Sequence, residues 1–226
     1  MKILNDNWVV FDDEMSLSEA LAQEVLNIAK KSISEKGFFS IVLTGGQSVL
    51  NLYKILSKAD SNWDKWHIYI GDERFLPKDH KDRNDRVINK TWLKHSLIPQ
   101  ENIHFIQAEL GLVEAKKEYE EVLHKINKFD VVLLSMGEDG HIASLFPGCS
   151  YPKDQDVIIE MNSPKLPEQR LSMSYKRLNK SNYIFKLVIG GKKQKSIDLL
   201  QKGKDIPISK VIGECDRLYI SGVVIH

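Results

Sequence analysis

Asp130-Val131-Val132-Leu133-Leu134, running on into Gly137-Glu138-Asp139-Gly140-His141-Ile142-Ala143-Ser144-Leu145-Phe146-Pro147-Gly148, is a short apolar run broken by glycines. A run of that length, rich in Val and Leu, fits a central strand of a parallel sheet covered on both faces. In such sheets ligands bind beyond the carboxyl ends of the strands. The loop that follows holds Asp139 and His141, with glycines on both sides of Asp139, and packing alone explains that combination poorly. The junction is the first place to expect chemistry.

The pattern repeats upstream. Residues 8–11 read as a strand, and Ser16 with Glu19 reads as a capping box opening a helix. Leu17, Ala20, Leu21, Val25, Ile28, Ala29 and Ile33 then recur on one helical face as far as about Glu35, and Gly37 stops the helix. Residues 38–43 form a strand, Thr44-Gly45-Gly46-Gln47-Ser48 a turn, and residues 50–56 a helix. A strand at 66–70, a polar loop through Asp82, and a helix from Asn84 holding Val87, Ile88 and Leu93 follow; a helix at 112–126 precedes the Asp130 strand. Alternating strands and helices predict an α/β fold, a mostly parallel sheet with helices on both faces. Right-handed crossovers then gather Gly45 and Gly46, residues 72–74, and residues 139–141 along one edge.

Past Gly148 the pattern loosens. Residues 151–166 read as loop around a short strand at 157–159, with further strands at 170–173, 183–189 and 218–225 and a helix at 193–201. No repeat, low-complexity tract or linker divides the chain, so residues 1–226 are expected to form a single domain.

With 226 residues and 42% hydrophobic content, the chain can bury one sizeable core. Its 32 basic and 31 acidic residues nearly cancel, which argues against nucleic acid or an anionic membrane as partner and leaves room for a small anion in a local basic pocket. No apolar stretch approaches the ~20 residues of a spanning helix, and no secretory leader is visible. A cytoplasmic protein is expected, with Cys149 and Cys215 as reduced thiols. Cys149 lies near the expected site but reads as a packing or surface residue.

Gly45 and Gly46, at a strand-to-helix turn, suit backbone donation to a phosphate; they also read as a plain tight turn. Thr44 and Ser48 add hydroxyl donors, or Ser48 simply caps the helix. Asp72, Glu73 and Arg74 read either as a solvated loop or, through Arg74, as an oxyanion or carboxylate partner. His141 is the best general base of the seven histidines, with Asp139 placed to orient it or to bind a hydroxyl. His67, His80, His95, His104, His124 and His226 read as structural or solvated, and none has the spacing of a helical zinc site. Arg170, and Lys192, Lys193 and Lys195 at a helix start, supply distant positive charge that an anion would offset.

Taken in order, Thr44-Gly45-Gly46, Asp72-Glu73-Arg74 with Pro77, Asp79-His80 and Asn84, residues 137–148, and Ser163-Pro164-Lys165 with Pro167 and Arg170 resemble the 6-phosphogluconolactonases. These share a family with the glucosamine-6-phosphate deaminases. The resemblance covers nearly the whole chain. It implies a Rossmann-like three-layer fold of the sugar-phosphate isomerase type. It also implies hydrolysis of 6-phospho-D-glucono-1,5-lactone to 6-phospho-D-gluconate in the oxidative pentose phosphate pathway, with no cofactor and no metal. The implied roles are base for His141, oxyanion partner for Arg74 and orienting group for Asp139. Thr44, Gly45, Gly46, Ser48, Asp72, Glu73, Asn84, Arg170 and Lys193 would bind substrate, with Lys195 as the alternative lysine. Asp72 and Glu73 would otherwise buttress Arg74. The chain could be a monomer or a dimer.

Deaminases carry an Asp-Glu-Tyr sequence where this chain has Asp72-Glu73-Arg74, and Ala-Phe-Asn-Glu-Pro where it has Ala143-Ser144-Leu145-Phe146-Pro147, so both positions favour the lactonase. Three departures stand out. Gln47 and Val49 replace a usual Ser and Pro after the glycines, Arg83 replaces a usual Ser and is expected to add charge near the pocket, and Ile142 replaces a common Thr. The alternatives are a deaminase or isomerase and a non-catalytic sugar-phosphate binding protein.

Overall fold

In the computed structural model, which describes residues 2–5 by backbone alone and residues 7–225 in full, the apolar runs become strands in a covered sheet. The chain order is β1 (Lys2–Asn5), β2 (Trp8–Phe11), α1 (Glu14–Lys36), β3 (Phe39–Leu43), α2 (Leu50–Leu56), β4 (Trp66–Ile70), β5 (Asp72–Arg74), α3 (Asn84–Thr91), β6 (Ile103–His104), α4 (Leu112–His124), β7 (Phe129–Ser135), β8 (Val157–Glu160), β9 (Arg170–Met173), α5 (Tyr175–Leu178), β10 (Ser181–Ile189), α6 (Gln194–Gln201) and β11 (Cys215–Ser221). Every residue of β3 is buried, as is all of β7 except Ser135, which is what helices on both faces require.

The main sheet has the order β1-β2-β11-β10-β7-β3-β4-β6. Only β1 is antiparallel to its neighbour; the other pairings are parallel, as the alternating pattern predicts. Winding runs one way from β3 through β4 to β6, and the other way from β7 through β10 to β11. Right-handed crossovers therefore put α1, α2 and α3 on one face and α4, α5 and α6 on the other; α1 packs on α2, and α2 on α3. The reversal between β3 and β7 opens a crevice at their carboxyl ends.

A second, antiparallel sheet, β5-β9-β8, stands over that crevice. Asp72, Glu73 and Arg74, expected in a loop, are its first strand, opposite Ser172, Leu171 and Arg170. One residue, Gly71, joins the sheets: its N–H donates to the Leu43 carbonyl, and its own carbonyl accepts from Met173.

Some boundaries differ from the sequence reading. The first helix begins at Glu14, because Asp13 is its cap and accepts both the N–H and the hydroxyl of Ser16, each at 2.8 Å; Ser16 sits inside the first turn instead of capping it. Gly37 ends the helix in the left-handed region, φ 85°, as expected. The helix from Asn84 stops at Thr91, so Leu93 falls in the following 3₁₀ turn, and that from Leu112 stops at His124. The last strand is Cys215–Ser221, not 218–225: its first three residues are polar, and the chain turns at Gly222, φ 70°. The short β1, β6 and α5 left no readable pattern.

Candidate active site

The carboxyl ends of β3, β7 and β10, with β5 and β9 above them, enclose a cleft of about 650 Å³. Thr44, Gly45, Gly46, Ser48, Asp72, Arg74, Asn84, His141, Arg170 and Lys193 line it, so ten residues spread over 150 positions of sequence converge. Asp139 and Glu73 do not line it.

The loop after β7 places His141. Its Nδ1 lies 2.5 Å from Asp139 Oδ1, and its ring packs 4.8 Å from that of Phe146. The carboxylate fixes Nδ1 as the protonated nitrogen and leaves Nε2 as the acceptor. Burial alone would raise Asp139, but the hydrogen bond and charge of His141, with Lys165 Nζ at 3.7 Å, hold its carboxyl well below the usual carboxylate range. Gly137 is required here, since a Cβ on it would lie 2.0 Å from His141 Cε1 and Nδ1. Further on, Ile142 and Leu145 exchange backbone hydrogen bonds around Ala143, a non-glycine at φ 46°. Ser144 clamps this turn to the second sheet, donating through Oγ to Asp72 Oδ2 at 2.6 Å and through N–H to Ser172 Oγ at 3.2 Å. Ile142 is fully buried in the core cluster.

Arg74 and Arg170 face each other across β5 and β9. Arg74 donates from Nη1 to the Asp82 carbonyl, and its buried Nε has no partner. Arg170, 4% exposed, commits Nε to the Pro167 carbonyl and Nη2 to those of Lys165 and Leu166, which leaves Nη1. Burial lowers the Arg170 pKa, with Arg74 adding to that effect and Asp72 and Glu160 opposing it. Two cations placed side by side at a cleft are an arrangement that an anion stabilises.

Glu73, expected either to bind substrate or to buttress Arg74, is fully buried and takes the second position. Its Oε1 accepts the N–H groups of Arg74 and Asn84 and its Oε2 that of Asp85, each at 2.8 Å, so it caps α3 from the side. Arg83, expected to add charge near the pocket, turns away from the cleft and pairs with Asp85 and Glu109.

Tyr53 ties down the glycine loop, its hydroxyl accepting from Thr44 N and donating to Thr44 O. A Cβ on Gly45 would lie 2.0 Å from Asn84 Oδ1, and Gly46 sits at φ 98°, so both glycines are needed. A 3₁₀ turn, Gln47–Val49, precedes α2, and Ser48 makes no cap bond.

Of the three lysines, Lys192 and Lys193 line the cleft, whereas Lys195 does not. Burial, with Lys165 and Lys192 nearby, lowers Lys193 against the pull of Glu138 and Asp139. The wall carries Arg74, Arg170, Lys165, Lys192 and Lys193 against Asp72 and Glu138, a strongly positive lining in a chain of net charge +1. Lys165, Ser135 and Ser144 were not singled out from sequence. Lys165 and Ser144 stood within quoted motifs, whereas Ser135 had no signal of its own.

Among the other histidines, His67 and His104 stack on each other at 5.8 Å, away from the cleft, and His226 lies outside the described residues. Cys149 and Cys215 are free. Among the described residues no helix is long and apolar enough to cross a membrane, and no group of three His, Cys, Asp or Glu side chains is arranged to hold a metal.

The family model described as glucosamine-6-phosphate isomerases/6-phosphogluconolactonase matches residues 12–220. The 6-phosphogluconolactonase 3, chloroplastic, of Arabidopsis thaliana is 32% identical over 92% of this chain and 70% of its own. The 6-phosphogluconolactonase of Thermotoga maritima is 29% identical over 97% of this chain and 96% of its own. A crystal structure of 6-phosphogluconolactonase from T. maritima superposes with a TM-score of 0.89 and 27% identity, covering 96% of this chain and 99% of that one.

Proposed function

The chain belongs to the glucosamine-6-phosphate isomerase/6-phosphogluconolactonase family, and on that footing we propose that it hydrolyses 6-phospho-D-glucono-1,5-lactone to 6-phospho-D-gluconate. The observation that carries this reading is that His141, paired with Asp139, lines one cationic cleft together with Arg74.

His141 Nε2 takes a proton from water as the water oxygen attacks lactone C1. Arg74, whose side chain lines the cleft, stabilises the oxyanion of the tetrahedral intermediate. Collapse breaks the bond from C1 to the ring oxygen, and the imidazolium returns its proton to that oxygen. Asp139 holds the Nδ1–H tautomer and offsets the imidazolium charge. Arg170 and Lys193, with the backbone of Gly45 and Gly46 and the hydroxyls of Thr44 and Ser48, hold the 6-phosphate. Asp72 and Asn84 meet the sugar hydroxyls. No redox or metal cofactor takes part in these steps.

The test follows lactone hydrolysis by purified protein, with spontaneous opening subtracted, beside His141→Ala. Turnover that falls by about 10²–10⁴-fold in the variant is the expected result. No rate above background from folded protein, or release of ammonia from glucosamine 6-phosphate, would overturn the reading in favour of a binding protein or a deaminase. The reading takes residues 1–226 as one domain, supported by a single hydrophobic cluster. It also keeps the expected cytoplasmic location, which cell fractionation would check.

A further inference from the structure

Arg83 is a nearly fully buried cation outside the cleft. Its side chain is 1% exposed and forks onto Asp85, Nε to Oδ1 at 3.1 Å and Nη2 to Oδ2 at 2.6 Å. Nη1 donates to Glu109 at 2.7 Å, Nη2 also reaches the Ile106 carbonyl, and Nε lies 3.8 Å from Glu73 Oε2. No atom of Arg83 lines the cleft, so it does not touch substrate.

What it faces is the residue that ties two parts of the cleft together. Glu73 accepts three backbone N–H groups and meets no acceptor for a carboxyl proton, a hydrogen-bond pattern that suits the carboxylate. Burial, followed by the charge of Asp85, pushes it the other way and raises its pKa. The remaining charges around it belong to β5, β9 and the loop beyond Arg83. Leu171 lies opposite on β9, flanked by Ser172 and by Arg170, a cation that stands across from Arg74 in the strand register. On β5 itself, Asp72 is taken up by Ser144 and Asn84. Beyond Arg83 stand Glu109 and its partner Lys78, at 3.2 Å. Among the described residues, Arg83 is the cation that forms an ion pair with both Glu73 and the acid that opposes its ionisation.

We propose that Arg83 is a positioning residue: by neutralising Asp85 and Glu73 it keeps Glu73 anionic, so that Glu73 holds the backbone of Arg74 and Asn84 in place for catalysis. Arg74 is the oxyanion arm, and Asn84 packs on Gly45 of the anion loop. The kinetic consequence rests on the lactonase reading; the coupling of Arg83 to Glu73 does not.

The sign is fixed by the charge removed. Without Arg83 the Glu73 anion loses a favourable partner, its pKa rises further, and a protonated Glu73 accepts the N–H groups less well. Activity is then lost as pH falls through the raised value, and the acid limb of kcat/KM moves upward. The decisive set is Arg83→Gln, Arg83→Lys, Glu73→Gln and the double variant Arg83→Gln/Glu73→Gln. The two readouts are the pH–rate profile and a 13C NMR titration of labelled Glu carboxyls, with Glu73 assigned by its loss in Glu73→Gln.

Arg83→Gln should move the acid limb and the Glu73 titration upward together, with kcat falling more than KM rises. Arg83→Lys, which keeps the charge, should restore most of both. In the Glu73→Gln background Arg83→Gln should add no shift. A loss of rate that is the same at every pH, with an unmoved Glu73 titration, would make Arg83 merely structural and overturn the proposal. Should Arg83→Gln not fold, Arg83→Lys decides, because a limb and titration displaced in it by a unit or more would contradict rescue by charge. If wild-type protein hydrolyses no lactone, the functional reading fails while the titration still settles the coupling.

Discussion

Gly137 and His141 show how little room the site leaves. A methyl group on Gly137 would stand 2.0 Å from the imidazole, and the ring cannot keep both its hydrogen bond to Asp139 and its place against Phe146. Gly137→Ala should therefore reduce kcat by about 10²-fold, the scale of an ångström's misplacement of a catalytic group, with KM little changed; steady-state kinetics reads this directly. Asp139 offers a second test through pH. Its folded pKa is depressed, so the unfolded chain binds that proton first as pH falls. The stabilisation is present above the unfolded value of ~4 and is lost below it. Urea denaturation from pH 6 to pH 3 should show wild type losing an increment of stability that Asp139→Asn, which cannot ionise, never has. Asp139 and His141 were legible in sequence because their partnership spans two residues. Glu73 and Ser144 were not, because a carboxylate's burial and a hydroxyl's partner 72 positions away depend on the completed fold.

At the level of elements, alternation of apolar runs and glycine turns revealed the parallel strands, because burial on both faces leaves an uninterrupted signal. It failed where a strand's side chains are polar for a reason. Asp72-Glu73-Arg74 pairs with β9 and looks like loop only because its side chains serve the cleft and cap α3. Asp216, the second residue of β11, is the partner of Lys186, at 2.7 Å. The start of α1 was misplaced because Asp13 and Ser16 are both good caps and the competition is local. Asp13→Ala should lower the midpoint of chemical denaturation more than Ser16→Ala does. Gly45→Ala is an element-scale substitution with a functional result. Its Cβ meets Asn84 Oδ1 at 2.0 Å, driving the start of α3 and the glycine loop apart. The expected outcome is a several-fold rise in KM for the phosphorylated lactone, with a stability loss of about 1–3 kcal/mol.

The whole molecule divides its tasks between the two edges of the sheet. The carboxyl edge is glycine-rich and bears a left-handed alanine, buried cations and an unpartnered guanidinium nitrogen, features that cost stability and suit ligand binding. The amino edge is fastened by Asp130. Its Oδ2 accepts both the N–H and the hydroxyl of Ser40, its Oδ1 accepts from Ser32 Oγ, and Lys36 lies 2.8 Å away. One carboxylate, 2% exposed, thus joins α1, β3 and β7. Asp130 begins the strand whose far end, Ser135, reaches the cleft, roughly 17 Å away at ~3.3 Å per residue. Asp130→Ala should strand the buried donors of Ser40 and Ser32 and cost roughly 2–4 kcal/mol, lowering the urea midpoint without changing the slope. Because no cleft residue touches Asp130, kcat and KM per folded molecule should stay at wild-type values under conditions where the variant is fully folded. A fall in kcat beyond what the unfolded fraction explains would mean that strain at the amino edge travels along β7 to His141, and that the two edges are not independent.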